Sequence, residues 1–343
     1  MPIRIYYISL FFSTLFFITF DAFAQKNRLH LAHYNVENLF DTINDPQVQD
    51  EDFLPDGNLQ WTTERYLKKQ SDLAKVIKTM NKGNGPDLLG LCEIENRLVL
   101  NELNKNLSSK NKKYHIAHFE SPDKRGIDVA LLYNPKVFKS TKALALPVIF
   151  EGDDPYPTRD ILLVSGVLSN KTRLHVFVNH WPSRRGGQEA SEKNRIAAAG
   201  VVRKAIDSLL QLDPKAHVVV MGDFNDGPLD HAPRMVMGAD SLRTPDGFLY
   251  NPFIALSADS SMGSYRFRGN WQFIDHISFS TNVFLPHSKL RYVEGSAGPV
   301  FFDFLLEQEG RFQGNPWRTY AGNRYLGGFS DHLPVQIEFE LVK

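Results

Sequence analysis

The chain has 343 residues, and its 39 lysines and arginines balance 39 aspartates and glutamates to a formal net charge of zero. That balance excludes a global positive field that would draw in nucleic acid or anionic membrane, so such contacts would need a local patch. The single cysteine, Cys92, excludes an internal disulfide framework, and its apolar setting Leu88-Leu89-Gly90-Leu91-Cys92 reads as a small buried hydrophobe.

At the N-terminus, Arg4 precedes an almost unbroken apolar stretch from Ile5 to Phe20, and Ala22-Phe23-Ala24 supplies a small-x-small cleavage site. This pattern predicts a signal peptide over residues 1–24 and export, either periplasmic or secreted. A membrane anchor is the alternative, but the stretch is short of the roughly 20 apolar residues a span needs. No cysteine follows the small residues, which argues against a lipid anchor. Residues 25–343 are expected to form one catalytic domain.

Strand-like runs then follow one another: Leu29–Val36, Leu88–Cys92, Asp128–Tyr133, Ile161–Leu168, Leu174–Val178, His217–Met221, Ile274–Ser278 and Val335–Leu341. Helical spacing predicts helices from Thr62 to about Met80, over Leu98–Leu107 and over Ala190–Leu212. Asp41–Trp61, with six acidic residues and two prolines, reads as a solvated surface loop, calcium binding being the alternative. Strands that adjoin without an intervening helix predict an α/β fold of two packed sheets with helices outside.

Polar islands stand at the ends of these runs: Asn35/Glu37, Glu93, His180, Asp223/Asn225, Asp275 and Asp331/His332. A strand end hands a side chain to a cleft from a rigid scaffold. In Gly222-Asp223-Phe224-Asn225 an aspartate that orients or deprotonates water stands beside an amide able to hold a phosphate oxygen, which suits phosphoryl transfer. An Asx turn is the plainer reading of that island alone. Glu93 and Asp331 are hard oxygen ligands, so a cleft joining them would prefer Mg²⁺ or Mn²⁺, with Ca²⁺ also admissible. Zinc fits less well, since there is no cysteine pair and no His-x-x-x-His. Carboxylate–imidazole pairing is expected for Asp275 with His332 and for Asp128 with His180.

In their order along the chain, Asn35-x-Glu37, Glu93, His180, Gly222-Asp223-Phe224-Asn225, Ile274-Asp275-His276 and Ser330-Asp331-His332 resemble the endonuclease/exonuclease/phosphatase superfamily, from about Arg28 to the C-terminus. The resemblance implies a four-layer α/β/β/α sandwich of two mixed, largely antiparallel sheets with outer helices. It implies that Glu93 is the principal metal ligand, supported by Asn35, Glu37 and Asp331. Asp223 would position or activate water, Asn225 would hold the phosphate, and His332, oriented by Asp275, would stabilise developing charge. His180 resembles the second histidine of the deoxyribonuclease and sphingomyelinase branches, which argues against the abasic-site branch.

Arginines interleaved with aromatics flank the islands, in Tyr265–Trp271 and Asn315–Tyr320, and Arg159, Arg184 and Arg185 lie nearby. With Asn35, these three arginines are the expected substrate contacts, Arg184 or Arg185 foremost. The favoured reading is an exported, monomeric phosphodiesterase with no obligate protein partner, a nuclease cutting DNA or RNA. A phospholipid or small-organophosphate hydrolase is the runner-up, and an inactive binding module stands third.

Overall fold

A computed structural model describes residues 27–109, 112–150, 156–243 and 249–343. The expected signal peptide, 1–24, lies outside the described residues. In chain order the elements are β1 (Arg28–Leu39), α1 (Thr63–Gly83), β2 (Leu88–Ile94), α2 (Arg97–Leu107), β3 (His115–His118), β4 (Asp128–Tyr133), β5 (Phe138–Leu146), β6 (Ile161–Leu168), β7 (Arg173–His180), α3 (Gln188–Leu212) and β8 (His217–Asp223). There follow β9 (Ala239–Asp240), β10 (Leu249–Tyr250), the hairpin β11 (Tyr265–Phe267)–β12 (Asn270–Gln272), β13 (Asp275–Ser280), β14 (Leu290–Tyr292), β15 (Gly298–Pro299), the hairpin β16 (Tyr320–Ala321)–β17 (Arg324–Tyr325) and β18 (Val335–Leu341).

One large sheet runs β14-β18-β1-β2-β4-β3, with β15 also on β18; the other runs β5-β6-β7-β8-β13-β10-β9. Both are mixed and largely antiparallel. The parallel pair β1–β2 lies inside the first sheet and β7–β8 inside the second, with β9–β10 parallel at the latter's edge. Side-chain alternation explains the layering. Leu29 and Leu31 of β1 join Val176, Val178, Val219, Met221, Ile277 and Phe279 in the core between the sheets, while Ala32, Tyr34 and Val36 point the other way. That outer face packs on Leu73, Val76 and Ile77 of α1 and on Val99, Leu100 and Leu103 of α2. On the far side, Phe177, Val218 and Val220 pack on Ala198, Ala199, Val202 and Ile206 of α3. Helix, sheet, sheet and helix are therefore stacked in four layers.

Local chemistry fixes the helix ends. The Asn96 side chain accepts from Leu98 N at 2.7 Å and Val99 N at 3.0 Å, starting α2. The helical backbone of α1 breaks at Met80, where ψ reaches 162°. The strands that escaped the sequence reading are edge strands and pieces of two to four residues, β3 and β5 among them. β5 carries the polar run Lys139-Ser140-Thr141-Lys142 because it is a half-exposed edge, and β3 is a four-residue edge. The Asp41–Trp61 segment is less solvated than expected: Asp41, Asp50 and Trp61 are buried. Its carboxylates bind its own backbone, Asp50 accepting from Asp45 N and Asp41 from Ile43 N, and Phe40 stacks on Phe53 at 4.2 Å. Among the described residues no helix is long and apolar enough to cross a membrane.

Candidate active site

The positions that carry apolar side chains along the seam between the sheets carry polar ones at one end of it. Continuing the inward register of β1, β7, β8 and β13 past the core leads to His33 and Asn35, to His180, to Asp223 and to Asp275. Asp275 stands opposite Asp223 in the antiparallel pair, and His180 beside Asp223 in the parallel one. The carboxyl ends of both parallel pairs thus open onto one edge of the sandwich.

Left-handed backbone supplies the remaining groups. Glu93 has φ 63°, and the bulge it makes sends Cys92 inward and Ile94 outward, leaving its own carboxylate in the cleft. Glu37 (φ 51°), Asn38 (φ 52°) and Asn225 (φ 51°) are held in the same region. Each such non-glycine residue costs about 1 kcal/mol or more, and strain of this kind collects where a site requires it.

The contacts are dense. Asn35 Nδ2 donates to Asp223 Oδ2 at 3.0 Å and lies 3.3 Å from Glu93 Oε1, tying the two sheets together. Asn38 N donates to Glu93 Oε2 at 2.9 Å. His180 Nε2 is 3.8 Å from both Glu93 Oε1 and Asp223 Oδ2. His332 Nδ1 is 2.7 Å from Asp275 Oδ2, and its Nε2 faces Asp223 at 4.0 Å and Asp331 at 3.9 Å. His33 Nε2 lies 3.5 Å from the other oxygen of Asp275. Asn225 N donates to Asp223 Oδ1 at 2.9 Å, and the Asn225 amide donates to the Trp181 carbonyl.

These surroundings drive neighbouring groups apart in acidity. Burial pushes Asp223 up to about 7, Asp275 across the strand pair adding to it. Burial would raise Asp275 as well, but His332 and His33 hold it well below the usual carboxylate range. Burial would strip the proton from His332, and Asp275, Asp331 and Asp223 outweigh it and hold the imidazolium. His180 is kept neutral by burial and by Arg159 and Arg125. One carboxyl able to take a proton therefore stands between a fixed cation and a neutral imidazole, the separation of roles that acid–base chemistry needs.

Other expected residues sit differently. Glu37 spends both oxygens on the backbone, accepting from Thr319 N at 2.7 Å and Tyr320 N at 3.5 Å, and so anchors the loop that leads to Asp331. Asp331 is bound by Arg318 at 3.1 Å. The expected Asp128–His180 pair does not form: Asp128 lies on the helix-facing side of β4, bonded to His118 Nε2 at 3.0 Å and to Ser121 N. His118 comes from β3, a strand that the sequence reading missed. Arg159 is buried, its guanidinium donating to Asp123 and to the Trp181 carbonyl, so it braces the site instead of facing substrate. Arg184 is likewise engaged, with the Asn225 carbonyl, Gln272 and Asp230, while Arg185 is exposed. Behind that loop, Arg195 of α3 meets Asp226 at 2.7 Å with both side chains buried.

Sequence reasoning missed His33 and Lys69, and noted Arg318 only as part of the Asn315–Tyr320 stretch. The Lys69 amine is buried on α1 and donates to Thr319 Oγ1 at 2.7 Å and to the Phe329 carbonyl at 2.6 Å. Burial lowers it to about 8, against the pull of Glu37 and Asp331. Its place on the buried Tyr66–Gln70–Leu73 stripe was the available signal. Cys92 is buried 3.7 Å from His33 Nε2, and burial raises its thiol well above the ordinary value, as befits an inert residue.

The donor set fits a divalent cation. Glu93 and Asp223 converge on one amide and one imidazole, apart from the Asp223–Asp275–His332 group, where the His332 imidazolium already supplies positive charge. Carboxylates gathered this closely with so little solvent call for positive charge, and oxygen donors select a hard ion. Glu93, with the Asn35 amide 3.3 Å from its carboxylate, would hold it. Nothing in the arrangement selects one ion among Mg²⁺, Mn²⁺ and Ca²⁺.

Comparison with known proteins agrees with the fold. No curated protein matches the chain. Among solved structures, truncated TDP2 of Caenorhabditis elegans superposes with a TM-score of 0.55 at 18% identity, covering 92% of this chain and 99% of that one. The human nocturnin catalytic domain with bound sulfate gives 0.55 at 16%, covering 92% and 95%. A mannosyl-6-phosphatase of Bacteroides thetaiotaomicron gives 0.54 at 15%, covering 91% and 99%. At these identities the likeness is one of fold. A model of the endonuclease/exonuclease/phosphatase family, whose enzymes are divalent-metal-dependent phosphoester hydrolases, matches residues 30–341, and the chain belongs to that family.

Proposed function

We propose that the protein is an Mg²⁺- or Mn²⁺-dependent phosphodiesterase that hydrolyses nucleic acid by in-line attack of water, and that it acts outside the cytoplasm after removal of residues 1–24 as one catalytic domain. The observation that carries the reaction is the split between Asp223, pushed up to about 7, and the Asp275–His332 pair, whose imidazolium Nε2 points back at Asp223 across 4.0 Å. Asp223 takes the proton of the attacking water. His332, held protonated by Asp275, donates through Nε2 to a non-bridging phosphate oxygen and stabilises charge as it develops. Asn35 holds Asp223 in place across the seam. His180, neutral and close to both Glu93 and Asp223, donates a hydrogen bond to the phosphate or its leaving oxygen. A divalent cation on Glu93 would supply Lewis-acid polarisation of the phosphoryl oxygen.

Support for the nucleic-acid assignment comes from the exposed Arg185 and from the arginine- and aromatic-bearing Tyr265–Trp271 segment, whose Tyr265 ring lies 4.8 Å from that of His332. The test is the purified chain on plasmid DNA, RNA, sphingomyelin and inositol phosphates, each with Mg²⁺, Mn²⁺ or excess chelator. Nicked plasmid or cleaved RNA with no lipid turnover is the expected result. Turnover of lipid or inositol phosphate with intact nucleic acid would replace this substrate by a lipid or small organophosphate. Undiminished turnover in chelator would remove the metal. Detection of the unprocessed N-terminus on the mature cellular protein would remove the export assignment.

A further inference from the structure

The hairpin β11–β12 stands outside both large sheets and grows directly from the site. Ser264, just before it, receives Asp275 N on its hydroxyl at 3.1 Å and Leu333 N on its carbonyl at 2.6 Å, so its base is pinned to the residues that build the Asp275–His332 pair. One face of the hairpin holds it to the body: the Arg266 guanidinium lies 5.5 Å from the Trp271 ring, and the Phe301 ring lies 6.3 Å from it. The other face begins on His332, whose ring lies 4.8 Å from that of Tyr265. Phe267, two residues on and so on the same face, is 48% exposed. The Arg268 guanidinium lies 5.2 Å over the Phe267 ring.

Two details are not explained by folding alone. Arg268 occupies the left-handed region at φ 50° in the turn, where asparagine or glycine is usual. Among the described residues neither Arg266 nor Arg268 is paired with a carboxylate, whereas the surface residues Arg234 and Arg243 each close on one. An exposed ring capped by an unpaired guanidinium, in line with the residue expected to bind phosphate, suits a ligand that alternates flat rings with negative charge.

We propose that the Tyr265–Phe267 face of this hairpin is a stacking platform for unpaired bases beside the scissile phosphate, so that the substrate class is single-stranded nucleic acid. This deepens the nucleic-acid reading above and rests on it. Rings two residues apart on a strand stand about 7 Å from one another. Bases in a duplex follow at about 3.4 Å with both faces already covered. Only a strand drawn out of its helical stack presents bases at the wider spacing. Guanidinium and rings together bind such a strand without reading its sequence.

The experiment compares kcat/KM for one oligonucleotide in single-stranded and duplex form with that for bis(p-nitrophenyl) phosphate, in Mg²⁺ or Mn²⁺. The native chain is expected to favour the single strand over the duplex by about 10-fold or more. Phe267→Ala is expected to lower the ratio of single-strand to small-diester turnover about 10-fold, chiefly through KM, and Phe267→Trp to retain it. Because Phe267 is half exposed, thermal unfolding verifies that the alanine variant stays folded. A duplex cut as fast as the single strand, or a Phe267→Ala ratio equal to that of the native chain, overturns the platform and leaves the nucleic-acid reading standing. Hydrolysis of the small diester with neither oligonucleotide cut overturns both.

Discussion

Replacing Asp275 by asparagine tests the electrostatic core of the site. The carboxylate lies 2.7 Å from His332 Nδ1, and both side chains are buried. At an effective dielectric near 20, two unit charges at that distance attract by about 6 kcal/mol before desolvation is subtracted. Removal of one partner from a buried pair typically costs about 3–5 kcal/mol. Asparagine keeps the shape but lacks the charge, so burial then dominates at His332 and the imidazole goes neutral at pH 7. The expected result is a fall in kcat of about 100- to 10,000-fold on bis(p-nitrophenyl) phosphate with little change in KM. Stability gives an independent reading. His332 is raised on folding, so its contribution is fully present below pH 6.5 and is lost as the pH rises through its folded value. Asp275 is lowered, so its contribution is present above its unfolded value near pH 4 and is lost as the pH falls through its folded value. The stability gap between native and variant, measured by urea unfolding, should therefore be widest near pH 5–6 and narrow towards alkaline pH. A variant whose kcat stays within about three-fold of the native value, or a gap independent of pH, would refute the assignment.

Substitution of Asn35 by alanine leaves Glu93 and Asp223 without their shared amide and should lower stability by about 1–3 kcal/mol; equal urea midpoints would contradict this. The same variant should need more Mg²⁺ for half-maximal activity, read by titration from chelated enzyme. Gly222→Ala puts a Cβ 2.4 Å from the Asn179 carbonyl oxygen, so β7 and β8 must separate where they carry His180 and Asp223. A cost of about 1–3 kcal/mol with a disproportionate loss of kcat is expected, and an active, equally stable protein would show that the strands yield freely. At the far end of β8, burial lowers His217 to about 4, so stability present above pH 6.5 should be lost as the pH falls towards 4, by up to about 3 kcal/mol. His217→Gln should flatten that part of the pH–stability curve without changing the activity profile.

What could be read in the sequence follows from how strongly each segment is constrained. Asp128–Tyr133 and Ile161–Leu168 coincide with their strands because strands covered on both faces are apolar along most of their length, and Val335–Leu341 because its apolar–polar alternation has the period of a strand. β5 was invisible because an edge strand can carry Lys139 and Lys142 in its pattern. The polar islands were legible as strand ends, and their order along the chain matched the family. Their orientation was not. Asn35 and Glu37 were both expected to support the metal ligand Glu93, yet the left-handed turn at Glu37 sends its carboxylate to the Thr319 and Tyr320 amides. Partnerships that cross the chain, such as Lys69 with Phe329 and Asp128 with His118, depend on packing and on a strand too short to recognise.

The seam between the sheets has one further consequence. Asn35 and Glu93 ride on one sheet, and His180, Asp223 and Asp275 on the other, so the bonds from Asn35 to Asp223 and from His33 to Asp275 measure how the two layers are offset. Just below them the layers nearly touch: a Cβ built on Gly90 would stand 2.7 Å from Met221 Sδ and 3.2 Å from His33 Nδ1. The apolar core therefore acts as a spacer for the chemistry. A bulkier or smaller residue at Met221 is expected to detune the reaction by sliding one layer over the other, seen as a kcat loss larger than its stability cost, even though no apolar atom of that core takes part in the reaction.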